Sequence, residues 1–281
     1  MSIEIVPMAF DLAAEIRGVD LAQDLDDAVF AEIEGAFDRY GVVFFRGQKV
    51  TPGQQVAFGQ RFGKVEHNYN AEQFGVPGHP ELFNISNKVE NGRELGPRRV
   101  GELWHTDMCY SACPPRATML YAIEVPNLHG LSLGDTAFAH AAAAFDALPA
   151  QMQQHIAKYK ARFDFRGRKR GNPVSEEVAN RYPPVLHPIV RTHSNTGRKS
   201  LYVMRDDCTG IDGVDDDEAL RLIEALADHI VHPRFVYRHG WQAGDLLMWD
   251  NCTVQHRAVI DYSLPQKRHM HRLTIAGSVP V

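Results

Sequence analysis

The sequence predicts a mainly β fold with helices, in which a double-stranded β-helix, or jelly-roll, forms the core and the helices pack outside it. Short apolar segments separated by turn residues dominate the last fifty residues. Helical segments do not alternate one for one with these strands, which argues against a βαβ sheet. The chain has 281 residues, 44% of them hydrophobic, and no Pro/Gly/Ser-rich linker divides it. We therefore expect a single domain over residues 1–281.

Each predicted element rests on a local signal. Asp26 or Asp27 can cap a helix that Gly41 ends, and Thr51-Pro52 is a typical helix start. Strands are predicted over 3–8, 42–45, 82–85, about 102–110, 117–125, 163–165, 187–192, 199–204, 235–239, 246–250, 254–259 and 270–276. Helices are predicted over 27–40, 52–62, 139–147, 150–158, 175–182 and 215–230.

Residues 67–101 have weak periodicity and many Gly, Pro and Asn residues. They predict long loops with one short strand, and His79-Pro80-Glu81 within them predicts a surface turn. Loops of this length in a compact domain are usually functional or disordered. Because the segment leads directly to the candidate site described below, we expect it to form a lid.

Composition excludes several classes of protein. The formal net charge is −5, with acidic and basic residues mixed along the chain, which argues against a nucleic-acid surface. The four cysteines form no C-x2-C pattern, so a reducing cytoplasm is expected. The N-terminus lacks a basic, apolar leader, and no stretch approaches the ~20 apolar residues that span a bilayer. Neither secretion nor membrane insertion is predicted.

His105 and Asp107 form the first part of a candidate metal site. In an extended segment, side chains two residues apart leave the same face, so the imidazole and the carboxylate point the same way. Composition alone produces His-x-Asp/Glu about once or twice in such a chain. The pair therefore needs support from elsewhere, and a surface ion pair is the alternative.

His256 is the best candidate for a third ligand, because it lies in a late β-like segment after a turn. Two imidazoles and one carboxylate form the facial triad of ferrous oxygenases. His269 and His271 are rivals, since they also share one face of a strand. Arg268 and Arg272 occupy the other face of that strand, and two buried arginines would need anionic partners. A basic strand edge is the alternative interpretation.

Several ordered motifs resemble the taurine/2,4-dichlorophenoxyacetate dioxygenase family, whose members are Fe(II)- and 2-oxoglutarate-dependent oxygenases. The similarity runs from about residue 3 to the C-terminus. The motifs are Trp104-His105-Thr106-Asp107, Gly134-Asp135-Thr136, Leu186 to His193, Trp249-Asp250-Asn251, Gln255-His256 and Arg268 to Arg272.

The resemblance implies a jelly-roll (cupin-like) fold and assigns roles to individual residues. His105, Asp107 and His256 would ligate Fe(II), and Thr136 and Arg268 would hold the distal carboxylate of 2-oxoglutarate. Arg272 would meet the anionic group of a substrate such as a sulfonate or an aryloxyalkanoate. Because a carboxylate occupies position 107, the expected reaction with O2 is hydroxylation and not halogenation. Further candidates for substrate contact are Asn68, Tyr69 and Met108, with Tyr69, Tyr110 and Phe138 as an aromatic wall.

The chain departs from the family pattern at two places. Gly101 replaces the Asn often found four residues before the first iron ligand, and Leu133 replaces the first residue of the usual Gly-Gly-Asp-Thr turn. These departures concern taurine as substrate more than the iron chemistry. A catalytically silent metal-binding or ligand-sensing barrel and a zinc hydrolase remain alternatives. A homodimer or homotetramer is expected from the resemblance.

Overall fold

The computed structural model describes residues 2–67, 71–167 and 176–281. The helices in these parts are α1 (Asp27–Tyr40), α2 (Pro52–Arg61), α3 (Ala71–Phe74), α4 (Ala141–Asp146), α5 (Ala150–Ile156), α6 (Glu176–Asn180) and α7 (Asp216–Ile230), with 3-10 turns at Ala9–Asp11 and Pro233–Phe235. The strands are β1 (Glu4–Pro7), β2 (Ala14–Arg17), β3 (Val42–Phe45), β4 (Gly75–Val76), β5 (His79–Ser86), β6 (Val89–Glu90), β7 (Arg93–Glu94), β8 (Ala117–Glu124), β9 (Asn127–Leu128), β10 (Leu131–Ser132), β11 (Thr136–His140), β12 (Lys160–Phe163), β13 (Val185–Pro188), β14 (Val190–Thr192), β15 (Lys199–Leu201), β16 (Cys208–Ile211), β17 (Val236–His239), β18 (Leu246–Asp250), β19 (Val254–Ala258) and β20 (His269–Ile275).

The main sheet has the order β1-β2-β3-β18-β8-β20-β5-β4. Its neighbouring strands are antiparallel except for the parallel pair β2 and β3. Of the central strands, β3 comes from the beginning of the chain, β8 from its middle, and β18 and β20 from its end. Folding therefore brings β8, β18 and β20 side by side.

Both faces of the main sheet are covered. Val43 and Phe45 pack with α1 and α2 on one face. Val42 and Phe44 point to the opposite face, where Phe138 of β11 covers them. This alternation is the period of two that a β-strand imposes, and it explains why β3 is apolar at every position.

A second sheet, β17-β11-β19, supplies that opposite layer. A third sheet, β13-β12-β16, packs with α7 in a separate hydrophobic cluster. The apolar side of α7, which includes Ile223, Leu226 and Ile230, is buried there. The fold is thus mainly β with helices packed outside the sheets. Among the described residues, no helix is both long enough and apolar enough to cross a membrane.

The predicted starts of α1 and α2 and the predicted end of α1 are confirmed. Asp26 accepts a hydrogen bond from the backbone N–H of Val29, and Gly41 ends α1 at φ +67°. Thr51 and Gln54 form a capping box in front of α2. These signals are local, so the sequence alone was sufficient to locate them.

The segment 67–101 differs from its prediction. Its strand is longer than expected, because β5 spans His79–Ser86 and pairs with β20 inside the main sheet. The surface turn predicted at His79-Pro80-Glu81 is therefore wrong. The weak local pattern of β5 is compensated by a partner strand more than 180 residues away. The strand at Ala14–Arg17 was also missed, because it is only four residues long; it is held between β1 and β3.

Candidate active site

The segment around His105 is not the strand that the sequence predicted. His105 forms a single antiparallel bridge with His256, in which the two backbone N–H···O distances are 3.1 and 2.9 Å. The chain then turns, and Met108 adopts φ +45°. This bridge places the two imidazoles next to each other, with ring centroids 4.2 Å apart. A long-range backbone pairing, and not strand periodicity, positions these residues.

Three donor atoms converge at this bridge. Oδ1 of Asp107 lies 3.9 Å from Nε2 of His105 and 3.8 Å from Nε2 of His256. Two nitrogens and one carboxylate oxygen on one side of a small space are the donor set of a ferrous facial triad. The rivals His269 and His271 contact each other, at 5.5 Å between ring centroids, and are not part of this cluster.

Both imidazoles present the nitrogen that a metal needs. Nδ1 of His105 lies 2.8 Å from the carbonyl oxygen of Leu103. A carbonyl only accepts, so this nitrogen carries the proton and Nε2 keeps a free lone pair. Burial, together with nearby His105, holds the pKa of His256 well below its usual range. Trp249 packs against the His256 ring at 4.5 Å between centroids. Both rings are therefore suited to metal ligation.

Asp107 is held as an anion. Burial alone would raise the pKa of its carboxyl group, but Arg272, His256 and His105 together hold it well below its usual range. Nη2 of Arg272 lies 2.9 Å from Oδ1. The hydroxyl of Thr118 donates to the other oxygen, Oδ2, at 2.5 Å. The carboxylate is thus available to a metal ion across the pH range in which enzymes work.

Arg268 is a buried cation, with 5% of the residue exposed. Within the described residues no carboxylate lies within ion-pair distance of it, and its Nε atom has no hydrogen-bond partner. Burial lowers the pKa of Arg268, while Tyr262 opposes that shift. A buried guanidinium without an anion is costly, so this position suits the carboxylate of a ligand.

Thr136 and Gly134 complete this part of the site. The Thr136 hydroxyl accepts a hydrogen bond from Nε1 of Trp241 at 3.0 Å, so its own proton remains available for a second acceptor. Gly134 has φ +75°, and a Cβ there would lie 2.9 Å from the Tyr262 ring and 3.3 Å from Cδ of Arg268. Only glycine allows this turn to pass so close to the arginine. These residues fit the distal carboxylate of 2-oxoglutarate.

Comparison with known proteins agrees with this geometry. The model of a family described as taurine catabolism dioxygenase TauD, TfdA family matches residues 4–274. The chain belongs to this family.

The similar proteins cover almost the whole chain. One is the alpha-ketoglutarate-dependent 2,4-dichlorophenoxyacetate dioxygenase of Cupriavidus pinatubonensis, 34% identical over 98% of both chains. Another is an alpha-ketoglutarate-dependent sulfate ester dioxygenase of Pseudomonas putida, 31% identical over 100% of this chain and 92% of that protein.

Solved structures give the same result. A taurine dioxygenase from Burkholderia xenovorans has a TM-score of 0.84 and 32% identity, and the match covers 100% of this chain and 91% of that one. AAD-2, solved in complex with Mn(II) and N-oxalylglycine, has a TM-score of 0.82 and 31% identity, covering 100% and 99%. The chain is a 2-oxoglutarate-dependent non-haem iron dioxygenase, and it uses Fe(II) and 2-oxoglutarate (alpha-ketoglutarate).

The other residues predicted to contact the substrate lie in different environments. Met108 lies in the turn after Asp107 and packs against the third-sheet cluster, half-buried. Asn68 and Tyr69 lie outside the described residues. Phe138 is fully buried behind the His256 ring and is not part of a substrate wall, whereas Tyr110 packs against Phe165 at 4.5 Å between centroids.

A second group of metal-ligating residue types is His193, Asp250 and Cys252, all buried. Nδ1 of His193 accepts hydrogen bonds from the backbone N–H groups of Asn195 and Thr196. Its proton therefore lies on Nε2, which faces Oδ2 of Asp250 at 2.9 Å. Burial raises the pKa of the Cys252 thiol. The group fastens the β14–β15 hairpin to the main sheet, and its donor atoms are already in use.

Sequence reasoning missed two residues that contact the site, Thr118 and Asn251. Thr118 lies in the apolar strand β8, where nothing in the pattern distinguishes it. Asn251 belongs to the motif Trp249-Asp250-Asn251, which served only for the resemblance. Neither residue has a local signal for its role. Asn251 bonds to Asp107 and Thr118, which lie more than a hundred residues away, and Thr118 lies 11 residues from Asp107, a spacing that no helix or strand periodicity links.

Proposed function

We propose that His105, Asp107 and His256 bind Fe(II) and that Thr136 and Arg268 bind the distal carboxylate of 2-oxoglutarate. The observation that carries this proposal is the convergence of one carboxylate oxygen with two Nε2 atoms at 3.8 and 3.9 Å. The bound iron would supply the activation of O2. The protein residues supply position and charge.

The proposed reaction is the hydroxylation of a small anionic organic molecule. The substrate C–H bond becomes C–OH while 2-oxoglutarate and O2 become succinate and CO2, so one oxygen atom enters each organic product. If the oxidised carbon bears a sulfonate, an ether oxygen or an amine, the product can collapse to an aldehyde or ketone. That collapse releases sulfite, a phenol or an amine.

Arg272 is the proposed partner of the substrate anion. Its guanidinium uses one nitrogen for Asp107 and offers further donors in a planar fork. The named substrates of the similar proteins, 2,4-dichlorophenoxyacetate and sulfate esters, are anions. We therefore propose a sulfonate such as taurine, an aryloxyalkanoate or another carboxylate as the substrate class.

We also infer three features of the whole protein. The packing of the β17-β11-β19 sheet on the main sheet supports a jelly-roll core in a single domain over residues 1–281. Segments on both sides of β5, within about 67–101, form the proposed lid; residues 68–70 of this range lie outside the described residues. Gly101 supports this assignment, because a Cβ there would lie 3.1 Å from Cε1 of His105. A cytoplasmic homodimer or homotetramer is the proposed working form.

The iron site is tested by anaerobic titration with Fe(II) and 2-oxoglutarate, following the metal-to-ligand charge-transfer band. The wild type should develop the band, and His105→Ala should not. His155→Ala, which removes an exposed histidine from α5, is the control and should behave like the wild type. A band of full strength in His105→Ala would contradict the proposed ligand.

The substrate class is tested by measuring succinate in the presence of sulfonates, sulfate esters and aryloxyalkanoates. We expect succinate formation to depend on one anionic class and on O2. A catalytically silent barrel would form no succinate with any compound. A zinc hydrolase would keep its activity without oxygen.

A further inference from the structure

We infer that Thr118 and Asn251 are positioning residues that make Asp107 a one-oxygen ligand. This inference rests on the proposed iron site and adds to it the reason why one carboxylate oxygen faces the two histidines while the other does not. Neither residue reaches the cluster of donor atoms itself. Both act through hydrogen bonds to Asp107.

The hydrogen bonds form a closed ring that begins and ends at Asp107. The Thr118 hydroxyl donates to Oδ2 of Asp107 at 2.5 Å. Nδ2 of Asn251 donates to the Thr118 hydroxyl oxygen at 3.2 Å. The backbone N–H of Asp107 donates to Oδ1 of Asn251 at 3.3 Å. Asp107 therefore has its backbone held by Asn251 and its side chain held by Thr118, and these two partners are hydrogen-bonded to each other.

The direction of every bond in this ring is determined by chemistry. A backbone N–H and the indole N–H of Trp249, which also contacts Oδ1 of Asn251 at 3.2 Å, can only donate. The Asn251 amide must therefore turn its oxygen towards them and its nitrogen towards Thr118. The Thr118 oxygen then accepts, so its single proton goes to Asp107. Oδ2 of Asp107 must therefore accept this hydrogen bond, as an ionised carboxylate oxygen does.

Burial makes the ring hard to replace with water. Thr118 is fully buried, Asn251 is 1% exposed and Asp107 is 6% exposed. An unpaired polar group at such a depth costs about 1–3 kcal/mol. Thr118 lies opposite Trp249 of β18 and Thr274 of β20 in the centre of the main sheet. The ring is thus attached to a strand that is paired on both sides.

The ring determines how many oxygens of Asp107 can bind the metal ion. Oδ2 of Asp107 is occupied by Thr118, whereas Oδ1 faces His105 and His256. A facial triad functions because three protein atoms leave positions open for the co-substrate and O2. A carboxylate that used both oxygens would fill one of those positions. The ring prevents this.

The test uses Mn(II) as a probe of affinity and Co(II) as a probe of coordination, both without O2. Thr118→Val keeps the shape and removes the hydroxyl, and we expect roughly tenfold weaker Mn(II) binding, as outer ligands of metal sites generally show. The Co(II) absorption spectrum should shift as the carboxylate becomes free to use both oxygens. Thr118→Ser restores the hydroxyl and should recover both properties.

Asn251→Asp tests the other end of the ring and carries the experiment should Thr118→Val not fold. The new carboxylate can only accept, so it competes with Asp107 for the Thr118 proton. We expect the same Co(II) shift as for Thr118→Val. Identical spectra and affinities in the wild type and both variants would overturn the inference.

Thr253→Val is the matched control. Thr253 is buried and its hydroxyl donates to the buried carboxylate of Asp250 at 3.0 Å, away from the metal ligands. This variant should lower the melting temperature without changing the Mn(II) affinity or the Co(II) spectrum. If the wild type itself binds no Mn(II), the proposed iron site fails. If the wild type binds Mn(II) and the variants match it, only the positioning role fails.

Discussion

Nη2 of Arg272 lies 2.9 Å from Oδ1 of Asp107, the same oxygen that faces the two histidines. One carboxylate oxygen thus stands between a guanidinium and the two imidazole nitrogens of the candidate iron site. A metal ion bound to Oδ1 would share its negative charge, which would free the guanidinium for another anion. Arg272 therefore links the candidate metal site to the proposed substrate.

Replacing Arg272 should affect substrate binding more than metal binding. For Arg272→Met we expect the KM of an anionic substrate to rise by about two orders of magnitude, since hydrogen bonds to charged groups contribute about 1.5–3 kcal/mol. The charge-transfer band with Fe(II) and 2-oxoglutarate should persist. Steady-state succinate assays provide the measurement. Arg221→Met, on the exposed side of α7, is the control, and an equal rise in KM there would refute the assignment.

Arg268→Leu should abolish binding of 2-oxoglutarate without destabilising the protein. The guanidinium is buried and lacks an anionic partner among the described residues, so an apolar side chain is tolerated. In the wild type, 2-oxoglutarate at 100 times its Kd should raise the free energy of unfolding by about 2.7 kcal/mol. Thermal melts with and without the co-substrate should show this gain in the wild type and no gain in the variant. A variant that still responds to 2-oxoglutarate would contradict the role of Arg268.

Crowding at Gly101 should weaken the metal site. Gly101 has φ +72°, and a Cβ there would lie 3.1 Å from Cε1 of His105. Gly92 has φ +77° and nothing within 4 Å of such a Cβ. Gly101→Ala and Gly92→Ala should each lose about 1 kcal/mol of stability from the left-handed backbone. Only Gly101→Ala should also weaken Mn(II) binding. Equal Mn(II) affinities in the two variants would show that crowding at Gly101 does not affect the metal site.

His140 should make the protein less stable in mild acid. Burial, and then the nearby Arg198, lower the pKa of this histidine from its usual 6.5 to about 4. Between pH 6.5 and pH 4, His140 is therefore protonated in the unfolded chain but mostly neutral in the folded chain. The free energy of unfolding falls as the pH drops through this range. A shift of this size corresponds to about 3 kcal/mol.

Urea unfolding at pH 7 and pH 4.5 measures this effect, with His140→Gln as the test. The variant should lose less stability between the two pH values than the wild type. His155→Gln removes an exposed histidine and should leave the wild-type pH dependence in place. If His140→Gln shows the full wild-type loss, the acid sensitivity arises elsewhere.

The sequence by itself determined the local features of this protein. Capping residues such as Asp26 and Thr51 located the helices, because a cap satisfies backbone groups within one turn. Alternating or apolar segments located most strands. The motifs that contain His105, Asp107 and His256 were sufficient to identify these three residues as candidate ligands.

Only the tertiary structure decided the relationships between distant segments. The bridge between His105 and His256, the insertion of His79–Ser86 beside β20, and the ring through Thr118 and Asn251 each join positions far apart in sequence. A strand with a weak pattern becomes stable when a distant partner supplies its hydrogen bonds, and a buried threonine acquires a role from the carboxylate beside it. Such contacts depend on chain closure over long distances, which no local periodicity encodes.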